Sequence, residues 1–312
     1  MNTQPGLTTS ASEYGCVDMG TLRTDRSLKR RIVRLLDRPG GRFLLGAIAT
    51  RVARSSSQED VAIKYLSGLW TRRRGSCFLP DGPRFDYFNP DLTGVGRELE
   101  RRDADAREYW LRYYTPKEGD VVFDVGAGRG EDVLTFSRGV GKTGRVIAIE
   151  ADPISFASLE NFCRLNRLAN TVALHVAAME APGRVRIQQS ASSWTENSVR
   201  VDQSGTGLAV PADTIDAICG RRNIGDIAFL KMNIEGAERY ALQGMKRIIP
   251  NVRHICVACH DFRAEMGHGE EYRTRVFVEG FLRQSGFELE SRGEDPRDYV
   301  RDHVFGLRRV AL

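Results

Sequence analysis

Few folds accommodate an apolar run, Val121-Val122-Phe123-Asp124-Val125, that empties into Gly126-Ala127-Gly128-Arg129-Gly130. Five such residues read as a strand buried on both faces, and the glycines after it permit a turn too tight for bulkier residues. Residues 132 to 138 start a helix, Gly141-Lys142-Thr143-Gly144 turns the chain, and a second apolar run, Arg145 to Glu150, closes on a carboxylate. Pro153 to Leu168 reads as a helix with Pro153 in its first turn, and Thr171 to Val176 as a further strand. Repeated strand, helix and strand units demand right-handed crossovers and a mainly parallel sheet. The expected fold class is α/β, doubly wound, over residues 99–312. A helix over Glu100 to Tyr113 leads into it, and Phe281 to Phe287 and His303 to Leu307 close the sheet.

Residues 1–98 do not share this rhythm and are expected to form a basic, helical extension with ordered loops. Leu28, Ile32, Leu35 and Leu36 fall on one helical stripe, Pro39-Gly40-Gly41 interrupts it, and a second apolar segment runs from Phe43 to Val52. The pair reads as a cover for the core, a surface for a partner or for homo-oligomer formation, or a peripheral membrane contact. Arg72-Arg73-Arg74 reads as a solvated turn. Pro80-Asp81-Gly82-Pro83 and Asn89-Pro90-Asp91 break the aromatic stretch of Phe85, Tyr87 and Phe88 into an ordered loop.

Forty-six Lys and Arg against 41 Asp and Glu leave a net charge of only +5, which does not mark a nucleic-acid binder. The excess is local: Arg23 to Arg54 holds ten basic residues against Asp25 and Asp37. No stretch has the length and apolarity of a transmembrane segment, and Met1 to Gly20 lacks the pattern of a signal peptide. Six scattered Cys are not a disulfide framework, and Cys256 and Cys259 lack the second pair that a closed zinc site needs. A cytoplasmic protein fits these bounds.

In a sheet of this class, ligands bind beyond the carboxyl ends of the strands. Asp124, the Gly126 to Gly130 loop and Glu150 share that end, and Glu150, twenty residues beyond Gly130, is placed to take ribose hydroxyls. A nicotinamide dinucleotide would use similar geometry, but its fingerprint is G-x-G-x-x-G, whereas this loop is G-x-G-x-G. An NAD-dependent oxidoreductase is the weaker reading, and a noncatalytic nucleotide-binding module is a third. Asp124 is expected to orient the loop or the ligand's far end.

Ile227 to Asn233 reads as a central strand, and Lys231, Asn233 and Glu235 share one parity, so their side chains converge if the strand persists through them. His260 and Asp261 follow another apolar run, Ile255 to Cys259, whose exit faces the same edge. His260 is the first candidate for a general base, Glu235 the second, and Asp261 an orienting or acceptor-binding residue. Trp194 is a candidate cover for the site. Tyr272 and Phe277 read as helical, His268 as a surface loop, and His175 and His254 as structural.

Taken in order, Asp124 to Gly130, Ala148-Ile149-Glu150-Ala151-Asp152-Pro153 and Lys231-Met232-Asn233-Ile234-Glu235-Gly236-Ala237-Glu238 resemble the FkbM-type methyltransferase family. Asn161, Asn166, Ala177-Ala178, Pro182-Gly183 and Asp213-Thr214-Ile215-Asp216 add to the likeness, which spans about residues 100–290. The resemblance implies a seven-stranded sheet of the class I methyltransferase type, with S-adenosylmethionine as cofactor. It implies methyl transfer to a hydroxyl oxygen of a small-molecule acceptor, a sugar, a glycosylated compound or another natural-product scaffold. By the resemblance the loop residues Gly126, Ala127, Gly128 and Gly130 with Glu150 form the cofactor site, and Lys231, Asn233 and Glu235 the active-site motif; Asp124 and Ala178 are expected to join the first, and His260 and Asp261 the second. The family commonly has Asp where this chain has Asn233, and no metal is expected.

Overall fold

The structure is a computed structural model and describes residues 31–57, 60–85, 98–187 and 207–308. Residues 31–36 are helical, the Pro39-Gly40-Gly41 segment turns, and a second helix runs over Arg42–Ser57. This is the expected helical pair, without Leu28, which lies outside the described residues, as do Tyr87, Phe88, Asn89-Pro90-Asp91 and Trp194. The helix buries Leu45, Ala49 and Ala53, spaced four apart, against Val61, Ile63 and Trp70.

The next segment departs from expectation. In place of turns and a loop, residues 61–82 form an antiparallel sheet of β1 (Val61–Leu66), β2 (Leu69–Arg74) and β3 (Cys77–Gly82). Ser67 and Gly68, at φ 51° and 83°, make the two-residue hairpin between β1 and β2, a turn whose twist matches that of the strands. Arg72-Arg73-Arg74 are strand residues and not a solvated turn. Arg72 is buried and makes a bidentate pair with Asp81 at 2.9 and 2.8 Å, so its charge is spent inside.

The core sheet has seven strands: β4 (Val121–Val125), β5 (Arg145–Glu150), β6 (Thr171–His175), β10 (Ile227–Met232), β11 (Val252–Ala258), β12 (Glu288–Ser291) and β13 (His303–Leu307). Their order is β12-β13-β11-β10-β4-β5-β6, with β13 antiparallel to both neighbours and the five strands from β11 to β6 parallel. The doubly wound α/β class is therefore the one observed. Phe123 and Ile147 face helices Ile215–Arg221, Glu238–Gln243 and Arg275–Gln284, while Val122 and Val146 face Trp110 and Phe136 on the other side. A small third sheet of β7 (Ala177–Ala178), β8 (Gly183–Ile187) and β9 (Leu208–Asp213), ordered β7-β9-β8, follows β6.

Boundaries shift by a few residues. The leading helix is Glu98–Tyr109, the helix after Glu150 ends at Leu165, β10 ends at Met232, and β11 spans Val252 to Ala258. Phe281 to Phe287 does not close the sheet as a strand. Val278 and Leu282 lie four apart and buried, so Phe281 belongs to the Arg275–Gln284 helix, and β12 starts only after Gly286 turns the chain at φ 83°. Tyr272 sits in a single 3-10 turn and Phe277 in the helix. Cys256 and Cys259 are buried and unpaired, as core residues should be. Among the described residues, no helix is long and apolar enough to cross a membrane.

Candidate functional site

The order of strands reverses at β4, which has β5 on one side and β10 on the other. Crossovers leaving a strand in opposite directions open a crevice at its carboxyl end. A cleft of about 280 Å³ lies there. The glycine loop is pinned to the neighbouring strand: Gly126 and Ala127 both donate to the Ile149 carbonyl, at 2.9 and 3.0 Å. Gly126, at φ 78°, admits no substitute, because a Cβ there would meet the Asn233 carbonyl oxygen at 2.0 Å.

Glu150 closes the loop from below. Its carboxylate accepts the Gly128 and Asp152 N–H groups, each at 2.8 Å, and burial pushes its pKa up to about 7. Asp152 in turn caps the following helix, accepting from Ile154 and Ser155, with Pro153 in the first turn. Gly126, Ala127, Gly128, Glu150 and Ala178 line the cleft. Gly130 does not; at φ 90° it packs on Phe162, where a Cβ would come within 2.9 Å of the ring. Asp124 also lies behind the wall, fully buried.

Asp124 is explained by strand register. β10 pairs with β4 so that Lys231 stands beside Asp124. The ammonium donates to Asp124 Oδ1 at 2.8 Å and to the Gly126 carbonyl at 2.7 Å, with Asp132 at 3.5 Å and the Trp110 ring centroid at 5.0 Å. Burial disfavours the charge, but the carboxylates Asp124 and Asp132 overcome it and hold Lys231 protonated. Lys231 thus ties β10, β4 and the loop together, and only its edge reaches the cleft.

Past Met232 the strand stops, so the shared parity of Lys231, Asn233 and Glu235 is not what gathers them. Glu235 adopts φ 54°, a left-handed conformation that a side chain takes at a cost of about 1–3 kcal/mol, followed by Gly236 at 99°. The buried Glu238 carboxylate clasps this turn, accepting the Gly236 N–H with both oxygens at 3.2 and 3.0 Å and the Ile234 N–H at 3.4 Å. The turn brings Asn233 and Glu235 to the cleft wall. Asn233 Oδ1 is buried there with no hydrogen-bond partner among the described residues, an acceptor left over for a ligand.

His260 lies behind Glu235 and not on the cleft wall. Its Nε2 is 3.3 Å from Glu235 Oε1 and its Nδ1 3.4 Å from Glu238 Oε1. Burial works against the charge, but Glu235 and Glu238 win and raise the pKa to about 10. At neutral pH the ring is an imidazolium rather than the neutral acceptor that the sequence suggests. Arg263 Nε approaches the other Glu235 oxygen at 3.1 Å, and the two cations lower the Glu235 pKa despite its burial. Asp261 is turned away from the cleft: its Oδ2 accepts from Thr274 and Arg275 N–H at 3.0 and 3.1 Å, at the start of the next helix. Those bonds engage one of its two oxygens and tie it to the next helix, and it is not among the residues lining the cleft.

Sequence reasoning passed over Asp132 and Glu131, which line the cleft beyond the glycines. Burial, with Asp124 adding to it against Lys231, pushes the Asp132 pKa up to about 7. Their place directly after Gly130 was the available signal. His175 stacks on Phe156, His254 packs tilted against Tyr114, and neither lines the cleft. Among the described residues no group of three or more His, Cys, Asp or Glu is arranged to hold a metal ion.

Residues 124–289 match the model of the Methyltransferase FkbM domain. No curated protein sequence matches the chain. Among solved structures, similarity extends to methyltransferase FkbM from Methylobacillus flagellatus KT, 17% identical over 70% of this chain and 59% of that one, TM-score 0.41. A methyltransferase described as SAM-dependent from Aquifex aeolicus is 17% identical over 67% and 95%, TM-score 0.37. Aeropyrum pernix fibrillarin, in complex with natively bound S-adenosyl-L-methionine, is 13% identical over 80% and 98%, TM-score 0.41. With more than half its length matched by the family model, the chain belongs to the FkbM family of S-adenosylmethionine-dependent methyltransferases.

Proposed function

We propose that the protein moves the methyl group of S-adenosylmethionine to a hydroxyl oxygen of a small-molecule acceptor, a sugar or another polyhydroxylated scaffold. The observation that carries this reading is an ionised carboxylate, Glu235, held at the cleft wall by His260 and Arg263.

The cleft suits the cofactor. Glu131, Asp132, Glu150, Asp152 and Glu235 line it against Lys231, whose charge is already shared with Asp124. A sulfonium and an ammonium are welcome in such a field, whereas the two phosphates of a nicotinamide dinucleotide are repelled. Glu150 would hold the ribose hydroxyls, Asp132 and the Asn233 amide oxygen the amino group, and Ala178 with Ile187 the adenine. The bound cofactor supplies an electrophilic methyl carbon.

Glu235 accepts a hydrogen bond from the acceptor hydroxyl and aligns its lone pair on that carbon. As the oxygen–carbon bond forms and the carbon–sulfur bond breaks, the hydroxyl proton becomes strongly acidic. A carboxylate of low pKa is then a sufficient proton acceptor, and His260 serves as the positioning cation behind it. Five described cysteines without a disulfide among them fit a reducing, cytoplasmic setting.

The test is methyl transfer from labelled S-adenosylmethionine to a panel of sugars and glycosides, with Glu235→Gln alongside. Labelled product that survives alkali, as an ether does, supports the reading. Label found only on nitrogen or carboxyl acceptors overturns it.

A further inference from the structure

The helix Arg42–Ser57 is apolar on two faces, and the sheet beneath covers one. Leu45, Ala49 and Ala53 are buried. Phe43, Leu44, Ala47, Ile48 and Val52 form a second stripe on the outside, with Phe43 90% exposed. Ile32 and Leu35 in the preceding helical turn add to it. A helix apolar on opposite sides normally has a second cover.

Beside the stripe, between the helix and β1, runs a groove of about 1080 Å³. Its floor is apolar, including Gly46, Ala62 and Ile63, and its rim is cationic. Some rim charges are engaged: Arg42 pairs with Asp37 and covers the Tyr65 ring, and Arg54 and Arg73 share Asp60. Arg51 and Lys64 are exposed and have no carboxylate partner among the described residues, and Arg31 and Arg38 are likewise exposed and unpaired beside the stripe. Over residues 31–57 six arginines face a single acid, Asp37. That acid is occupied by Arg42, the Trp70 indole and the Phe85 amide.

We propose that this face docks on an anionic lipid bilayer, with the Phe43 to Val52 stripe among the acyl chains and Arg51 and Lys64 on lipid phosphates. Apolar side chains flanked by unpaired cations are the chemistry of a helix lying in a membrane interface. A second copy of the chain is a poorer occupant. A two-fold contact sets each patch against itself, bringing Arg31, Arg38 and Arg51 toward their own copies with no acid between. The proposal is independent of the acceptor that the catalytic cleft takes.

The test is co-sedimentation of the full chain with vesicles of pure phosphatidylcholine or of phosphatidylcholine containing phosphatidylglycerol, at low and high salt. Binding is expected only to the anionic vesicles. Arg51→Gln and Lys64→Gln should each weaken it roughly fivefold. Leu44→Ser with Ile48→Ser should leave binding that high salt abolishes. S-adenosylhomocysteine affinity and thermal midpoint in these variants report that the fold is intact. Equal partition onto neutral and anionic vesicles, or none onto either, overturns the proposal. So does a dimer in solution that the Leu44/Ile48 variant dissociates while vesicles bind neither form, which would make this the self-association face.

Discussion

The guanidinium of Arg129, in the middle of the glycine loop, donates to the backbone carbonyl of Asp81 in β3 at 2.7 Å. Ser158, in the helix after Glu150, shares that carbonyl, and Asn166 at the end of the same helix accepts from the Phe78 N–H at 2.9 Å and donates to the Phe78 carbonyl at 2.7 Å. The N-terminal sheet is thereby a support for the loop, although the family match begins only at residue 124. Arg129→Ala is expected to weaken S-adenosylhomocysteine binding about tenfold, the scale of one charge-assisted hydrogen bond, with the fold retained. Isothermal titration giving wild-type affinity would show that the support is not needed.

Removing residues 1–54 strips Leu45, Ala49 and Ala53 from Val61, Ile63 and Trp70 but spares the Arg129–Asp81 bond. The truncated chain should melt at a lower temperature and still bind S-adenosylhomocysteine. Loss of binding in a folded truncation would place part of the cofactor support in the first helices.

Cofactor affinity should fall with acid. Burial raises the pKa values of Glu150 and Asp132 to about 7, and both must be ionised to accept from ribose hydroxyls and an ammonium. Each therefore weakens binding about tenfold per pH unit below that value. Linkage gives the free protein the opposite trend: a carboxyl whose folded pKa is raised contributes stability below its unfolded value, lost as pH rises through about 7. Titrations at several pH values should show Glu150→Gln flattening the profile; an unchanged slope would remove Glu150 from the site.

His260 and Glu235 separate by their pH dependence. If His260 had to lose its proton to act as base, turnover would climb up to about pH 10; with Glu235 as the acceptor of the proton, it stays flat from neutrality upward. The flat profile is expected, with Glu235→Gln losing about 10² in turnover or more. The raised His260 pKa also contributes stability that is fully present below its unfolded value near 6.5 and lost as pH rises through about 10. Alkaline denaturation of His260→Gln should lack that component.

Lys231→Met is expected to cost about 3–5 kcal/mol, because it leaves the buried Asp124 carboxylate without its cation. Urea denaturation measures this directly. A loss below about 1 kcal/mol would mean that Asp124 takes up a proton and is neutral in the variant.

The sequence by itself determined the parts of this protein that short-range physics controls. The buried runs of β4 and β5, the glycines that turn after the first, and the Asp152-Pro153 helix start all depend on sterics and burial within a few residues, and each is found where the pattern puts it. Only the tertiary structure decided what the charges do. Lys231 and Asp124 are 107 residues apart and meet through the register of two strands, and Arg129 reaches Asp81 across 48 residues into a sheet that local reading takes for loops. Glu235 reaches the cleft through a left-handed backbone turn clasped by Glu238, not through strand parity. A buried ionisable group must find a partner or lose its charge, and the partner's identity is set by how distant segments pack, which no local periodicity encodes.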